Sequence, residues 1–363
     1  MTPLYFVWDY TEVDRAFWQE HLEAWLPARL FDAHTHIALP SHRLVPMTDA
    51  KRRQYWVNEL FEPIEAETAE RCYRTVFPGR ELTCLAFGMP DLDFDLEANN
   101  AYLQAECPKR GWLSLAVIRP QWSQNKIASL LDAPGVIGVK PYYSLISANR
   151  ETRDAHLEAG IFDFLPHHIL EVVNDRHGWV TLHVPRAARL GHPENIREVR
   201  EIRRRYPDIA LVIAHLGRCY TKPHALDALP QFAEDPGLFF DTAAVLNPAC
   251  HRIALQHLGP GRVIYGSDNP ILYLRGRRQY HDRTYINRTS YPFHFNQTRE
   301  APEIEAKYTL FMYEDLRAIK EACEGLGITA RKDIEAIFHD NAARLAQAIL
   351  ARKTQSPSPT RSP

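Results

Sequence analysis

The chain has 363 residues, 45% hydrophobic and 24% charged, with a formal net charge of −2. This is ordinary globular composition, long enough for one large domain or two modest ones. The charge balance excludes a strong basic field for a nucleic-acid backbone, and no apolar run reaches the roughly 20 residues that span a membrane. Six scattered cysteines contain no Cys-x-x-Cys pair, which argues against a disulfide scaffold and a thiolate zinc site. Residues 1–10 carry an acid and no Lys or Arg, so they lack a signal-peptide layout, and a cytoplasmic location is expected.

Residues 13–25 read as an amphipathic helix, with Val13, Phe17, Leu22 and Trp25 near one face, closed by Pro27. Short apolar, β-rich runs then recur at 30–37, 82–87, 113–118, 136–142, 179–184, 209–216, 238–242 and 262–267. Helical patterns separate most of them, at 95–106, 123–132, 155–177, 193–206, 224–233 and 249–258. Such alternation predicts parallel strands joined by crossovers. Eight repeats over about 250 residues fit a closed (β/α)8 TIM barrel. A doubly wound open sheet would show a Gly-rich phosphate turn after its first strand, and none follows 32–37.

After the last strand, residues 271–310 form a long, helix-poor insertion rich in Arg, Tyr and Phe, which a barrel would place at its C-terminal mouth. Helical pattern resumes at 311–326 and 331–352. The expected organisation is one barrel domain over 1–352 and a Ser/Pro/Thr-rich, disordered tail over 353–363.

The strand ends carry the chemistry. Asp32-Ala33-His34-Thr35-His36 closes the first strand, and residues two apart on a strand point to one side, so His34 and His36 aim together. Lys140 lies in the fourth strand, His183 in the fifth, His215 ends the sixth and Asp268 the eighth. In a barrel these ends meet around one mouth. Taken singly, His183 fits a core histidine, Asp268 a turn cap before Asn269-Pro270, and Lys140 a partner for a carboxylate. Asp241 ends the seventh strand, either as a site residue or as a loop anchor.

From about residue 15 to 348, including the closing Asp340-Asn341-Ala342-Ala343-Arg344-Leu345, the pattern resembles the amidohydrolase superfamily of metal-dependent barrel enzymes. It is most similar to the amidohydrolase-related branch that includes aminocarboxymuconate-semialdehyde decarboxylase-like enzymes. The resemblance implies that His34, His36, His183 and Asp268 bind one divalent metal ion, with zinc favoured and manganese or iron also suited. It implies that His215 sits beside the metal's water or binds a second ion. Lys140 falls where some members carry a bridging carboxylated lysine. Three imidazoles and a carboxylate leave a coordination position open, and a bound divalent ion lowers the pKa of water to about 7.

Arg186 and Arg218, each three residues past a site histidine, and Tyr142 are candidates to hold the substrate, because a guanidinium grips a carboxylate with two hydrogen bonds. Arg119, Tyr143, Arg275, Arg277 and Arg278 are weaker candidates for the same mouth. The expected activity is metal-dependent hydrolysis of a C–O or C–N bond in a small, carboxylated substrate. The alternative is nonoxidative decarboxylation of a small unsaturated or aromatic acid. A small molecule is the expected partner, with a homo-oligomer open and neither nucleic acid nor membrane expected.

Overall fold

A computed structural model describes residues 10–60, 62–147, 153–290, 294–295 and 297–355. Eight parallel strands pair in strict chain order: β1 (Arg29–His36), β2 (Glu81–Phe87), β3 (Leu113–Val117), β4 (Val136–Lys140), β5 (Trp179–Leu182), β6 (Ala210–Ile213), β7 (Phe239–Asp241) and β8 (Val263–Ile264). Residues past β8 close the ring onto β1. Ala33 N donates to Tyr265 O at 3.0 Å, Asp268 N to His34 O at 2.8 Å, and His36 N to Asn269 O at 2.8 Å. The architecture is therefore the (β/α)8 barrel.

The strands read as near-continuous apolar runs because each is covered on both faces, by barrel interior and by helices. All five residues of β4 are buried. The covering helices begin where the sequence supplies caps. Asp95 Oδ1 accepts Ala98 N at 2.9 Å to start Leu96–Glu106, and Ser123 Oγ accepts Lys126 N at 3.3 Å to start Gln124–Asp132. Pro193 opens Pro193–Arg205, and Arg203, Arg204 and Arg205 sit in its last turn, where cations suit the helix dipole.

Several boundaries differ from the sequence reading. The helix over 13–25 is Glu12–Phe17 continued by a π-helical Trp18–Leu22, which buries Trp18 against Phe77 and Tyr313. The pattern over 155–177 breaks into Ile161–Phe164 and His167–Asp175, because Pro166 caps the second piece and cannot continue the first. The crossover helix Ala66–Val76 had no counterpart in the sequence reading. Its buried face, Ala66, Ala69, Cys72, Tyr73 and Val76, recurs at helical spacing among Glu, Arg and Thr, a pattern the sequence reading passed over. The insertion after β8 holds an antiparallel hairpin, β9 (Gly276–His281) and β10 (Thr284–Thr289). The last helix, Asn341–Gln355, is tied to the barrel by Asn341 Nδ2, which donates to Pro260 O and Val263 O at 2.8 and 2.9 Å. The rest of the 353–363 tail lies outside the described residues. No helix among the described residues is long and apolar enough to cross a membrane.

Past β6 the backbone turns through His215, Leu216, Gly217 and Arg218, all at positive φ, between 48° and 72°. This left-handed run is costly for the three non-glycine residues and marks a segment held by its surroundings. Gly217 suits it twice: glycine tolerates φ +72°, and a Cβ there would meet Leu190 side-chain atoms at 2.5 Å. Gly217→Ala is expected to lower Tm by several degrees, read by differential scanning calorimetry; an unchanged Tm would mean the turn relaxes freely.

Candidate metal centre

The C-terminal strand ends bring His34, His36, Lys140, His183, His215 and Asp268 to one cavity of ≈ 440 Å³. His34 and His36 lie on β1, where the pairing with β2 slips between Asp32 and Thr35. Lys140 is the last residue of β4, and His183 follows β5 directly. His215 and Asp268 stand just beyond β6 and β8 at φ 56° and 60°. All six side chains are buried.

His34 Nε2 and His36 Nε2 each lie 3.4 Å from Asp268 Oδ1. One ligand atom each from His34, His215 and Asp268 falls within 4.8 Å of the others. His183 stands beside this cluster, with its ring centroid 5.2 Å from that of His215 and 4.7 Å from that of Tyr142.

The outer nitrogens decide which atoms face the cluster. His36 Nδ1 donates to Gly88 O at 3.2 Å and His215 Nδ1 to Ala243 O at 2.8 Å. A carbonyl only accepts, so the hydrogen sits on Nδ1 and the lone pair on Nε2. His34 Nδ1 lies 2.9 Å from Asp241 Oδ2, while Asp241 Oδ1 accepts the amides of His215 and Ala243 at 2.7 and 3.2 Å. Asp241 is thus a positioning residue that orients two histidines at once.

Charge at the site follows from burial. Desolvation pushes the His34 imidazole well below its ordinary pKa, helped by the Lys140 charge, and desolvation likewise lowers His215. Both are neutral at pH 7, as a metal ligand must be. For Asp268 burial alone would raise the carboxyl. The surrounding imidazoles of His36, His215 and His34 outweigh it and hold the carboxyl well below the usual range. Desolvation brings the Lys140 ammonium down to about 8, against the pull of Asp241 and Asp268.

Whether these residues suit a divalent cation can be judged from the donors. His34 Nε2 is buried and makes no hydrogen bond among the described residues. A buried polar atom left unsatisfied costs about 1–3 kcal/mol, and a cation among imidazole nitrogens and a carboxylate removes that penalty. The set therefore fits a divalent ion. Gly266 defines how closely the site is packed: a Cβ there would stand 2.8 Å from His34 Cβ. Gly266→Ala is expected to destabilise the fold by about 1–3 kcal/mol and to weaken cation uptake. Denaturant unfolding and zinc titration check it; unchanged values in both would show that His34 yields without consequence.

Among the substrate-facing candidates, Tyr142 and Arg218 line the cavity. Arg186 does not. Its Nη1 donates to Asn195 Oδ1 at 2.9 Å and Glu198 Oε2 at 3.3 Å, so it anchors the loop after β5 to Pro193–Arg205. Spacing past a strand end sets no direction: Arg186 and Arg218 share nearly the same φ, 66° and 63°, and Arg186 is drawn away from the mouth by Asn195 and Glu198. Of the insertion arginines, Arg275 grips Asp14 at 2.7 Å and Arg277 pairs with Glu300 at 2.6 Å, whereas Arg278 lines the cavity. Sequence reasoning passed over Asp32. It accepts His34 N, Ser267 N, Ser267 Oγ and Tyr73 OH at 3.1, 2.9, 2.5 and 2.7 Å, joining β1 to the segment that carries Asp268. The available signal was its place two residues before His34, on the same strand face.

The fold and this cluster define a (β/α)8 barrel with a site for a divalent cation at its C-terminal mouth. The chain belongs to the amidohydrolase family, whose sequence profile matches residues 31–345. Among curated proteins no match is found. Among solved structures it is similar to 5-carboxyvanillate decarboxylase from Sphingomonas paucimobilis, at 14% identity and TM-score 0.54, covering 88% of this chain and 99% of that one. It is also similar to 2,6-dihydroxybenzoate decarboxylase from Rhizobium (15%, TM-score 0.52, 89% and 99%). A third is amidohydrolase 2 from Bifidobacterium longum subsp. infantis (14%, TM-score 0.51, 88% and 99%). At these identities the likeness concerns the fold.

Proposed function

We propose that the protein hydrolyses a C–O or C–N bond, as in a lactone, ester or amide, of a small acidic compound. The observation that carries this reading is an ionised Asp268 carboxylate beside the inward-facing nitrogens of His34 and His36, at the floor of a cation-rich cavity. Arg43, Lys51, Lys140, Arg189, Arg218 and Arg278 line that cavity, against Asp91 and Asp268. His34, His36, His183 and Asp268 would hold one divalent ion, with His215 adjacent. Zinc is our first choice, since imidazole and carboxylate suit it, with manganese and iron as rivals. When bound, such an ion supplies Lewis acidity and makes water easier to deprotonate.

The chain's own groups supply the rest. Asp268, already ionised, accepts the proton of the attacking water. His215, with Nδ1 tied to Ala243 O, presents Nε2 as a fixed acceptor for the same water. Lys140 retains its proton at neutral pH and stabilises negative charge developing on the substrate oxygen. The basic wall draws in an acidic substrate.

Elemental mass spectrometry on protein purified without chelator is expected to find about one divalent ion per chain. A value near two would promote His215 and Lys140 to ligands, and none taken up on reconstitution would end the metal reading. A panel of lactones, esters and amides, assayed by acid release with and without zinc or manganese, tests the reaction; no metal-dependent turnover anywhere counts against it.

One observation favours the second reading, decarboxylation. Lys140 Nζ is a buried ammonium without a hydrogen-bond partner among the described residues, 4.7 Å from the Phe87 ring, and it is able to deliver a proton to carbon. Carbon dioxide release from a panel of aromatic acids, without hydrolysis of the first panel, would select it.

A further inference from the structure

We propose that the β9–β10 hairpin supplies Arg278 to a carboxylate subsite, completed by Arg189 and Arg218, that reads a substrate carboxylate remote from the reacting bond. The inference rests on the hydrolase reading only for which bond reacts; the subsite stands on its own geometry.

Arg278 is 8% exposed, although it comes from a surface hairpin. Alternation along β9 sends Gly276 and Arg278 inward and Arg277 and Gln279 outward. Two of its nitrogens are held in place. Nε donates to Asn287 Oδ1, on the paired residue of β10, at 3.0 Å, and Nη1 donates to Ala244 O at 2.7 Å. The guanidinium lies 4.2 Å over the Tyr285 ring, which fixes its plane. Nη2 makes no hydrogen bond among the described residues.

Arg189 and Arg218 line the same cavity. Arg189 and Arg278 both stand over Tyr220, at 5.2 and 5.7 Å. Arg189 Nη1 donates to Arg218 O at 2.8 Å, and its Nε is buried without a hydrogen-bond partner among the described residues. Arg218 Nη1 donates to Arg186 O at 2.7 Å. Among the described residues, no carboxylate lies within ion-pairing distance of any of the three. Lys51, by contrast, has Asp91 at 3.7 Å and a contact with Asp93.

Arg189 is buried beside the like charge of Arg218, and with no carboxylate in ion-pairing reach it pays both repulsion and desolvation. A planar carboxylate removes both penalties, because it accepts forked hydrogen bonds from guanidinium. Tyr220 also ties the subsite to the reacting centre, its ring centroid 6.1 Å from that of His215. Tyr220 thus neighbours both the guanidiniums and the imidazole cluster.

Calorimetric titration of the full-length protein, as purified and again after chelation, tests the subsite with benzoate as probe and benzamide as its neutral isostere. Benzoate is expected to bind in both states, and benzamide about tenfold or more weakly. Arg278→Gln is expected to weaken benzoate by about tenfold or more, with Arg278→Lys recovering part of it. No benzoate binding at millimolar concentration, equal binding of benzamide, or unchanged binding in a folded Arg278→Gln variant would overturn the proposal. The benzoate–benzamide comparison needs no variant, so it decides even if Arg278→Gln fails to fold. Because binding is read without turnover, failure of the hydrolase reading leaves these titrations unaffected.

Discussion

Asp268→Asn is expected to lower kcat/KM by about 10²–10⁴-fold, the span ordinarily lost with a positioned proton acceptor. The amide is nearly isosteric, so the backbone at φ 60° and the bond from Asp268 N to His34 O should persist. What disappears is the negative charge to which His34 and His36 each present Nε2 at 3.4 Å. Two effects then add: the proton acceptor is lost, and the cation site loses its only carboxylate. Parallel zinc titrations and kinetics at saturating zinc separate them. If saturating zinc restores full turnover, Asp268 serves only to hold the ion, and its role as acceptor is refuted. An unchanged Tm confirms that the fold is intact.

Asp32→Ala is expected to have the largest effect on stability, about 3 kcal/mol or more. The carboxylate accepts four donors, two of them the backbone amides of His34 and Ser267. The two hydroxyls can turn; Tyr73 OH already lies 2.5 Å from Thr35 Oγ1. Asp32→Asn keeps one acceptor for the amides and should lose less than half as much. Urea unfolding of both variants gives the order, and Asn costing as much as Ala would contradict it. The loss should also reach the metal centre. Asp32 links His34 N to Ser267 N, and Ser267 precedes Asp268, so loosening it lets the two halves of the cluster drift apart. Zinc affinity in Asp32→Ala should fall along with stability, even though Asp32 touches only the backbone amide of His34 and none of the proposed ligand atoms.

Both predictions concern the seam between β1 and the segment after β8, and the seam also shows how legible the molecule was. Strand order and barrel closure were readable because eight apolar runs, each buried on both faces, alternate with helical patterns. The same rule located the chemistry, since in such a barrel strand C-termini share one mouth. His34, His36, His183, His215 and Asp268 were recognisable as a set for that reason, and the resemblance to metal-dependent barrels suggested their roles. Helix Ala66–Val76 was passed over although its buried face, with Tyr73 and Val76, recurs at helical spacing. Arg186 and Arg218 looked equivalent by spacing, yet one anchors a loop and the other lines the cavity. Beyond a strand end the period of two no longer applies, and the hydrogen-bond partners a side chain meets decide where it goes.

The sequence by itself therefore determined the barrel and the mouth at which its histidines and Asp268 gather. Those follow from local periodicity and from the topology that periodicity imposes. Only the tertiary structure decided which histidine nitrogens face inward, because the tautomer depends on Gly88 O, Ala243 O and Asp241, far away in the chain. It alone brought Asp32 under the cluster and Arg278, from the β9–β10 hairpin, over Tyr220. These are long-range pairings of polar groups, set by where buried donors find acceptors, and no local pattern encodes them.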